Sequence, residues 1–209
     1  MKLSDSHQFI FIHIRKAAGG SVNTILNRYS LPRPRDFKSR MMSKLYLENN
    51  YRKFAFRQHC TILDVKRVAP IEVFDAYFKF AFVRNPWKRL VSEYEFIRRQ
   101  SNHGRHSKVI KMDFDTYINY QASRKDAHQI NMLANTKGGL LMDFVGRFEN
   151  LHKDWEYACS QIGIDHHELP HLKNAKIVDY DKYYNQANKE RVAQLWKHDI
   201  DIFEYTYDD

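Results

Sequence analysis

Three short apolar stretches are the clearest feature of the hydrophobic pattern. Residues 9–14 and 77–83 are nearly continuous runs of aromatic and aliphatic residues, and residues 143–147 form a shorter third run. Runs of this kind are typical of strands that are buried on both faces. We therefore predict three central strands.

Helical spacing of apolar residues follows each predicted strand. The segments with this spacing are 22–26, 86–99 and 148–162, with short ones at 113–120 and 126–134 and a last one at 186–198. Asn85 and Pro86 form a typical N-cap and first helical residue for the second of these. The alternation of strands and helices predicts a single α/β domain over residues 1–209, with three layers (α/β/α) around a central parallel sheet.

The turn after the first strand has the composition of an anion site. Residues 17–20 are alanine or glycine, Lys16 supplies a cation beside them, and Ser21 supplies a hydroxyl. A strand, a turn of small residues and a helix start direct free backbone N–H groups at one point. An ordinary tight connection has the same composition. The Walker A signature of nucleotide kinases is absent, because Lys16 precedes the glycines instead of following them.

A second pair of polar residues follows the second strand. Arg84 stands at the strand end, and Ser92 lies two turns into the next predicted helix. Such residues can converge on one phosphate, the arginine as a bidentate donor and the serine as a single donor. A solvated arginine and a serine bonded to its own helix are the alternatives.

Composition adds limits on the function. The 209 residues include 34 Lys and Arg against 25 Asp and Glu, a formal net charge of +9. This charge suits a protein that handles phosphate or sulfate, and a nucleic-acid-binding module has the same charge.

Cys60 and Cys159 are too few for a disulfide framework or a thiolate metal site. The acidic residues near the motifs do not group with the first turn, so we expect no metal. Without a signal peptide or a spanning apolar stretch, we expect a cytoplasmic protein.

Three motifs occur in order along the chain. They read FIHIRKAAGGS, FAFVRNPWKRLVSEY and DFVGRFENL, at residues 11–21, 80–94 and 143–151. This combination resembles the Golgi-type carbohydrate sulfotransferases, including the heparan sulfate 2-O-sulfotransferases, and their bacterial relatives. The likeness extends from Phe9 to Tyr205. It implies a P-loop-like sulfotransferase fold and an enzyme that uses 3′-phosphoadenosine 5′-phosphosulfate (PAPS) as co-substrate, with no metal.

The resemblance also implies ligand contacts. The family's loop for the 5′-phosphosulfate corresponds here to Arg15, Lys16, Ala17, Ala18, Gly19, Gly20 and Ser21. Arg84 and Ser92 match the spacing of the arginine and serine that bind the 3′-phosphate. Arg15 stands where proline is usual and Ala17 where threonine is common. We therefore expect the detailed loop geometry to differ, while the lysine and the small residues remain.

The resemblance places the catalytic base at His59, between the two motifs, and gives Lys16 the role of stabilising the leaving phosphate. Histidine suits the removal of a hydroxyl proton because its pKa lies near neutral pH. His13 and His171 remain alternatives. The implied acceptor is a carbohydrate or another small hydroxyl compound, and we expect neither nucleic acid nor a membrane span. The rival functions are a nucleotide-dependent phosphoryl transferase and a basic nucleic-acid-binding module.

Two segments are predicted to set acceptor specificity, residues 30–51 and 100–111. The second is rich in Ser, Asn, His, Lys and Arg. We interpret it as a mobile basic loop with solvated charges, and a border of the acceptor site is the alternative. Arg147 could reach the cofactor from its strand end, whereas Glu149 is assigned a structural role at a helix start.

Overall fold

The computed structural model describes residues 1–34, 36–124, 126–166, 168–170 and 179–209. Its centre is a four-stranded sheet in which the strands lie in chain order. The strands are β1 (Lys2–Ser4), β2 (Phe9–Ile12), β3 (Phe78–Val83) and β4 (Phe144–Arg147). β1 runs antiparallel to β2, whereas β2, β3 and β4 are parallel to one another. The predicted α/β class with a mostly parallel central sheet is confirmed.

Helices flank the sheet. The described α-helices are α1 (Gly19–Leu26), α2 (Phe37–Lys44), α3 (Ile62–Val68), α4 (Ile71–Ala76), α5 (Pro86–Arg99), α6 (His106–Val109), α7 (Phe114–Ala122), α8 (Ile130–Leu133), α9 (Leu151–Ile162), α10 (Gln186–Leu195) and α11 (Lys197–Phe203). Two 3-10 turns lie at Phe148–Asn150 and Asp181–Tyr183. The predicted helices after β2, β3 and β4 are confirmed as α1, α5 and α9.

The core is built on the aromatic residues of the central strands. Every residue of β2 is buried. Phe11 packs on Phe80 of β3 with ring centroids 5.1 Å apart, and Phe82 contacts Trp155 of α9 at 6.4 Å. Aromatic side chains bury more area than most others, so this row of rings holds α9 against the sheet.

Several elements differ from the sequence-based prediction. β1 was missed because three residues, two of them polar, are too short for a periodic signal. β2 ends at Ile12, so His13 and Ile14 leave the sheet. The segment 30–51 contains α2, which begins where Asp36 accepts a hydrogen bond from the backbone N–H of Ser39.

The last predicted helix is divided in two at Trp196. This residue has φ −106° and ψ 21°, outside the helical range. Its buried indole donates to the carbonyl oxygen of Ala127 at 3.1 Å. Asp199 of α11 accepts from the backbone N–H groups of Gln129 and Ile130 at 2.8 and 2.9 Å. These tertiary bonds redirect the chain, although its local spacing favours one continuous helix.

The topology brings the sequence motifs to one edge of the sheet. The small-residue turn follows β2, Arg84 follows β3, and Arg147 ends β4. These three strands are parallel, so their C-terminal ends share an edge. Open α/β sheets bind their ligands at this edge.

Candidate active site

A cleft of about 960 Å³ opens at the C-terminal edge of the sheet. The predicted site residues that line it are Arg15, Lys16, Ala18, Gly19, Gly20, Ser21, His59, Arg84 and Ser92. Ala17 differs from them because its methyl group lies in the hydrophobic core. Ala17 can therefore contribute only backbone atoms to a ligand. Motifs that are far apart in the sequence thus face one cavity.

The start of α1 has no side-chain cap among the described residues. Ala18 is the N-cap residue, and the N–H of Val22 bonds to its carbonyl oxygen at 3.2 Å. The N–H groups of residues 19–21 precede that bond and therefore have no helical acceptor. They lie at the positive end of the helix dipole, which favours a bound anion.

The turn before α1 is strained at two residues. Lys16 has φ 62° and Ala18 has φ 58°, both in the left-handed region. This conformation costs a residue with a side chain about 1–2 kcal/mol. Gly19 and Gly20 follow without a positive φ, although glycine tolerates this conformation best. Backbone strain of this kind is concentrated at ligand-binding loops.

Gly19 has a packing role that the sequence did not reveal. A Cβ atom at Gly19 would lie 1.9 Å from Cδ2 and 2.2 Å from Nε2 of His13. At Gly20, by contrast, nothing in the described chain lies within 4 Å of such an atom. Glycine at position 19 therefore lets the His13 ring pack against the start of α1.

Lys16 is the cation of the first loop. Its Nζ lies 4.3 Å from the ring centroid of Phe96. Burial lowers the pKa of Lys16, the charge of Arg84 lowers it further, and Glu93 acts in the opposite direction. The ammonium group is thus poorly hydrated, and an anion in the cleft would replace the water it lacks.

Arg84 is 8% exposed. Its Nη1 donates to the carbonyl oxygen of Lys16 at 3.1 Å and its Nη2 to the hydroxyl of Tyr180 at 2.6 Å. The guanidinium carbon lies 4.0 Å from the ring centroid of Phe148. Its Nε–H is buried without a hydrogen-bond partner in the described chain. Burial also lowers the pKa of the guanidinium group. A buried guanidinium with a free donor is suited to an anionic acceptor.

The backbone around Arg84 is held from both sides. Its N–H donates to Gln129 Oε1 at 2.9 Å, and Gln129 Nε2 donates back to its carbonyl oxygen at 2.8 Å. The next residue, Asn85, caps α5 by accepting from the N–H groups of Trp87 and Lys88. The predicted N-cap is thereby confirmed. These bonds fix the direction in which the arginine leaves β3.

Ser92 faces the cleft from α5, next to a buried ion pair. Glu93 binds Arg105, and Gln121 bonds to both, accepting from Arg105 Nη1 at 3.0 Å and donating to Glu93 Oε2 at 3.4 Å. Arg105 therefore forms a wall of the cleft, and the interpretation of its segment as a solvated loop is wrong at this residue. Glu93 also lines the cleft, although we expected the acidic residues near the motifs to lie apart from the first turn.

Two histidines meet inside the cleft, with ring centroids 4.6 Å apart. His59 Nδ1 donates to the carbonyl oxygen of His13 at 2.9 Å, which leaves the lone pair of the neutral ring on Nε2. His13 Nδ1 accepts from Asn23 Nδ2 at 2.7 Å and from Gln58 Nε2 at 3.3 Å. The proton of the His13 ring is therefore on Nε2. The two rings hold opposite tautomers.

Burial keeps both rings neutral near pH 7. It is the main cause that lowers the pKa of His59, opposed by the bond to the His13 carbonyl. For His13, burial and then the neighbouring His59 lower the pKa to about 3. His59 consequently offers an acceptor to a ligand, whereas His13 offers a donor.

Arg15, three residues after β2, and Arg147, the last residue of β4, differ in their surroundings. Arg15 lines the cleft, and its Nη1 forms an ion pair with Asp126 Oδ2 at 2.9 Å. Arg147 does not line the cleft; its Nη2 donates to the carbonyl oxygen of Glu204 and to Asp209 Oδ2, at 3.2 and 3.3 Å. The predicted reach of Arg147 toward a cofactor therefore has no support in its contacts.

The remaining expectations concern Glu149, His171, metals and membranes. Glu149 accepts from the N–H of Asn85 and from the hydroxyl of Tyr205, both at 3.0 Å, which confirms its structural role. His171 lies outside the described residues.

In the described part of the chain, no three His, Cys, Asp or Glu side chains group as a metal site requires. None of the described helices combines the length and the apolar character needed to cross a bilayer.

Further residues line the cleft. His13 was an alternative base, and His103, Gly104 and Arg105 belong to a segment that was predicted to set acceptor specificity. The residues that were not predicted to line it are Thr24, Gln58, Glu93, Phe96, Arg124 and Phe148. Phe96 had a usable signal, because it lies one helical turn after Ser92 and so on the same face of α5. Gln58 is adjacent to His59. Others, such as Arg124, reach the cleft only through tertiary packing.

Comparison with known proteins agrees with this geometry. The sequence model of the sulfotransferase family matches residues 1–206. An uncharacterized protein of Archaeoglobus fulgidus is 30% identical over 97 residues, which cover 44% of this chain and 73% of that protein. The crystal structure of mouse sulfotransferase SULT7A1 complexed with PAP has the same fold, with a TM-score of 0.58 and 12% identity over 97% of this chain and 90% of that one. The family match extends over nearly all of the sequence, and the chain therefore belongs to the sulfotransferase family.

Proposed function

We propose that this sulfotransferase moves a sulfuryl group from PAPS to a hydroxyl group of a carbohydrate or related acceptor. The observation that carries the proposal is that two groups of cations and unpartnered N–H donors line one cleft, and we take each group as an anion site. The uncapped start of α1 and Lys16 form one, and Arg84, with its unpartnered Nε–H, forms the other. PAPS carries a phosphosulfate and a separate 3′-phosphate, and it therefore needs two such sites at once. The mouse sulfotransferase of the same fold is complexed with PAP.

In this proposal, different residues of the cleft bind the two anionic ends of PAPS. The free N–H groups of residues 19–21, with Lys16 and the hydroxyl of Ser21, bind the phosphosulfate. Arg84 and Ser92 bind the 3′-phosphate. Arg15 adds positive charge at the rim, where it is already paired with Asp126.

His59 is the catalytic base in this proposal. Its Nδ1–H is bound to the His13 carbonyl, so its free Nε2 lone pair can accept the proton of an acceptor hydroxyl. His13 is unsuited to this role because amide donors already occupy its Nδ1. The lowered pKa of His59 keeps the base unprotonated near neutral pH.

The transfer involves one bond made and one broken. The acceptor oxygen forms a bond to sulfur as its proton moves to His59 Nε2, and the bond between sulfur and the bridging phosphate oxygen breaks. The leaving phosphate gains negative charge, which Lys16 stabilises. Most of the rate enhancement comes from positioning and from charge stabilisation, as in phosphoryl transfer.

The two rival functions have weaker support. A nucleotide-dependent phosphoryl transferase of the P-loop type needs a lysine after the glycines, and Lys16 precedes them. A nucleic-acid-binding module explains the net charge of +9 but not the cleft or the family match.

Ligand-dependent melting tests the co-substrate. Adenosine 3′,5′-bisphosphate, the product that remains after transfer, should raise the melting temperature as its concentration exceeds its Kd. ATP with magnesium and duplex DNA should leave the melting temperature unchanged. Stabilisation by ATP and magnesium, without an effect of the bisphosphate, would contradict the proposal.

A substitution tests the base. In an acceptor screen with PAPS, read by mass spectrometry, we expect His59→Ala to lower turnover about 100-fold or more while the Kd for the bisphosphate stays unchanged. His103→Ala is the matched control, because His103 lines the same cleft. Wild-type turnover should fall only at a pH below the ordinary histidine value of 6.5, since protonated His59 cannot accept a proton. Full activity of His59→Ala would show that another group is the base.

A further inference from the structure

The outer face of α2 carries an apolar stripe that the proposed reaction does not use. Phe37 and Met41 of α2 and Leu45, its C-cap residue, recur every four residues and are 78%, 41% and 57% exposed. Side chains at this spacing lie on one helical face. Leu47, two residues after Leu45, is 55% exposed as well. Exposed apolar side chains grouped in this way are typical of a contact with a partner or a membrane.

A cavity of about 630 Å³ lies beside the stripe. Phe37 and Met41 form part of its lining, and the buried rings of Phe54 and Phe56 form its inner wall. Ser43 also lines the cavity and holds α2 in place, because its hydroxyl accepts from the N–H of Ala55 at 2.8 Å. The stripe is therefore fixed at the entrance of an apolar cavity.

Four cations surround the same cavity: Arg33, Arg40, Lys44 and Arg57. None of the ion pairs between described residues includes any of them. The lining has one carboxylate, Asp64, whose oxygens already accept from the hydroxyl of Tyr46 at 2.6 Å and the N–H of Thr61 at 2.8 Å. Arg57 interacts electrostatically with this carboxylate, which leaves an excess of positive charge around an apolar cavity.

We propose that α2 and this cavity dock the protein on an anionic membrane surface. An amphipathic helix binds such a surface by placing its apolar side chains at the boundary of headgroups and acyl chains. Lysine and arginine beside those side chains attract anionic headgroups. Both elements occur here on one exposed face, and the charge of the face is complementary to anionic lipid. A protein partner would have to supply both an apolar patch and an acidic ring. This inference does not depend on the proposed reaction.

Vesicle sedimentation tests the proposal. The wild-type protein should bind vesicles of phosphatidylcholine with phosphatidylserine, and should not bind vesicles of phosphatidylcholine alone. Binding should weaken as salt is added, because the charges are screened. Equal binding to both vesicle types, or to neither, would overturn the proposal.

Two double variants separate the apolar and charged contributions. Arg40→Glu with Lys44→Glu should reduce partition to the anionic vesicles about tenfold or more, since each cation near such a surface contributes about 1 kcal/mol. Phe37→Ser with Met41→Ser should cause a similar loss. The matched control is Lys137→Glu with Lys153→Glu, which changes the net charge equally at exposed positions elsewhere.

The variants need a check of folding and of self-association. An unchanged melting temperature would show that each variant is folded, because the substituted side chains are exposed. Static light scattering would report a dimer. The proposal is wrong if the wild type dimerises, the variant with Phe37→Ser and Met41→Ser stays monomeric, and neither protein binds vesicles. The stripe would then be a contact between copies of the chain.

Discussion

The two helices that begin at the cleft, α1 and α5, differ in whether a side chain caps their first N–H groups. At α5, the side chain of Asn85 accepts hydrogen bonds from two of them. At α1, the described structure has no side chain in that role. The capped helix therefore contributes to the cleft through side chains, Ser92 and the preceding Arg84. The uncapped helix contributes its free backbone N–H groups, with the hydroxyl of Ser21 beside them. A helix start can serve as an anion site only where the sequence omits its cap.

The difference extends to the strain before each helix. The turn before α1 has two left-handed residues, Lys16 and Ala18. Arg84, before α5, is held without such strain by reciprocal bonds to Gln129. The first site is thus strained and incomplete without a ligand, and the second is preorganised.

Removal of the preorganised arginine should have the largest effect. Arg84→Ala should weaken binding of adenosine 3′,5′-bisphosphate by about 1.5–3 kcal/mol, because a charge-assisted contact is lost. Isothermal titration calorimetry measures this change. Arg147→Ala is the control, since Arg147 ends the neighbouring strand outside the cleft. An equal loss in both variants would mean that only the overall charge matters.

A side chain at Gly19 should disturb the first site. Gly19→Ala places a methyl group against the His13 ring, and the overlap should lower the free energy of unfolding by about 1–3 kcal/mol. Urea denaturation measures it. Gly20→Ala is the matched control and should not be destabilising, because the space there is open. If Gly19→Ala is as stable as the control, the contact between His13 and α1 is not a constraint.

Loss of the cap should affect stability more than ligand binding. Asn85→Ala should lower the free energy of unfolding by about 0.5–2 kcal/mol, because the first N–H groups of α5 lose their acceptor. Its Kd for the bisphosphate should change less than that of Arg84→Ala. Denaturation and calorimetry on the same samples provide both numbers. A larger effect on the Kd would show that the cap itself orients Arg84.

Relief of strain should produce the smallest change. Ala18→Gly should raise the free energy of unfolding by about 0.5 kcal/mol, because glycine adopts a positive φ without a side-chain penalty but loses more entropy on folding. Ala17→Gly is the control and should be destabilising, since the methyl group of Ala17 lies in the core. A destabilised Ala18→Gly variant would show that the turn is not strained.

The sequence predicted those parts of the site that depend on local pattern. The apolar runs indicated β2 and β3, and Asn85 with Pro86 indicated where α5 begins. The offset of eight residues between Arg84 and Ser92 put the arginine just before α5 and the serine two turns into it, and both line the cleft. The positive φ angles of Lys16 and Ala18 could not be predicted, because composition shows only which residues tolerate a left-handed backbone and not which ones adopt it.

Other parts of the site arise from contacts between distant segments. The choice between His13 and His59 rests on the amide groups of Asn23 and Gln58, which set the His13 tautomer. Arg105 enters the cleft through its pairing with Glu93, which its own segment does not indicate. Residue type and local spacing do not encode such partners, so the sequence left both histidines open and interpreted Arg105 as solvated.

The missing cap of α1 has a consequence for the catalytic cycle of the enzyme. With PAPS or its product in place, anionic oxygens would take the position of the absent side chain, and the ligand would complete the helix as a structural component. Amide hydrogens of residues 19–21 should then exchange slowly with solvent, and they should exchange faster after product leaves. Each turnover would thus include the assembly and loss of one helix end, so co-substrate supply would govern how long this part of the protein stays ordered.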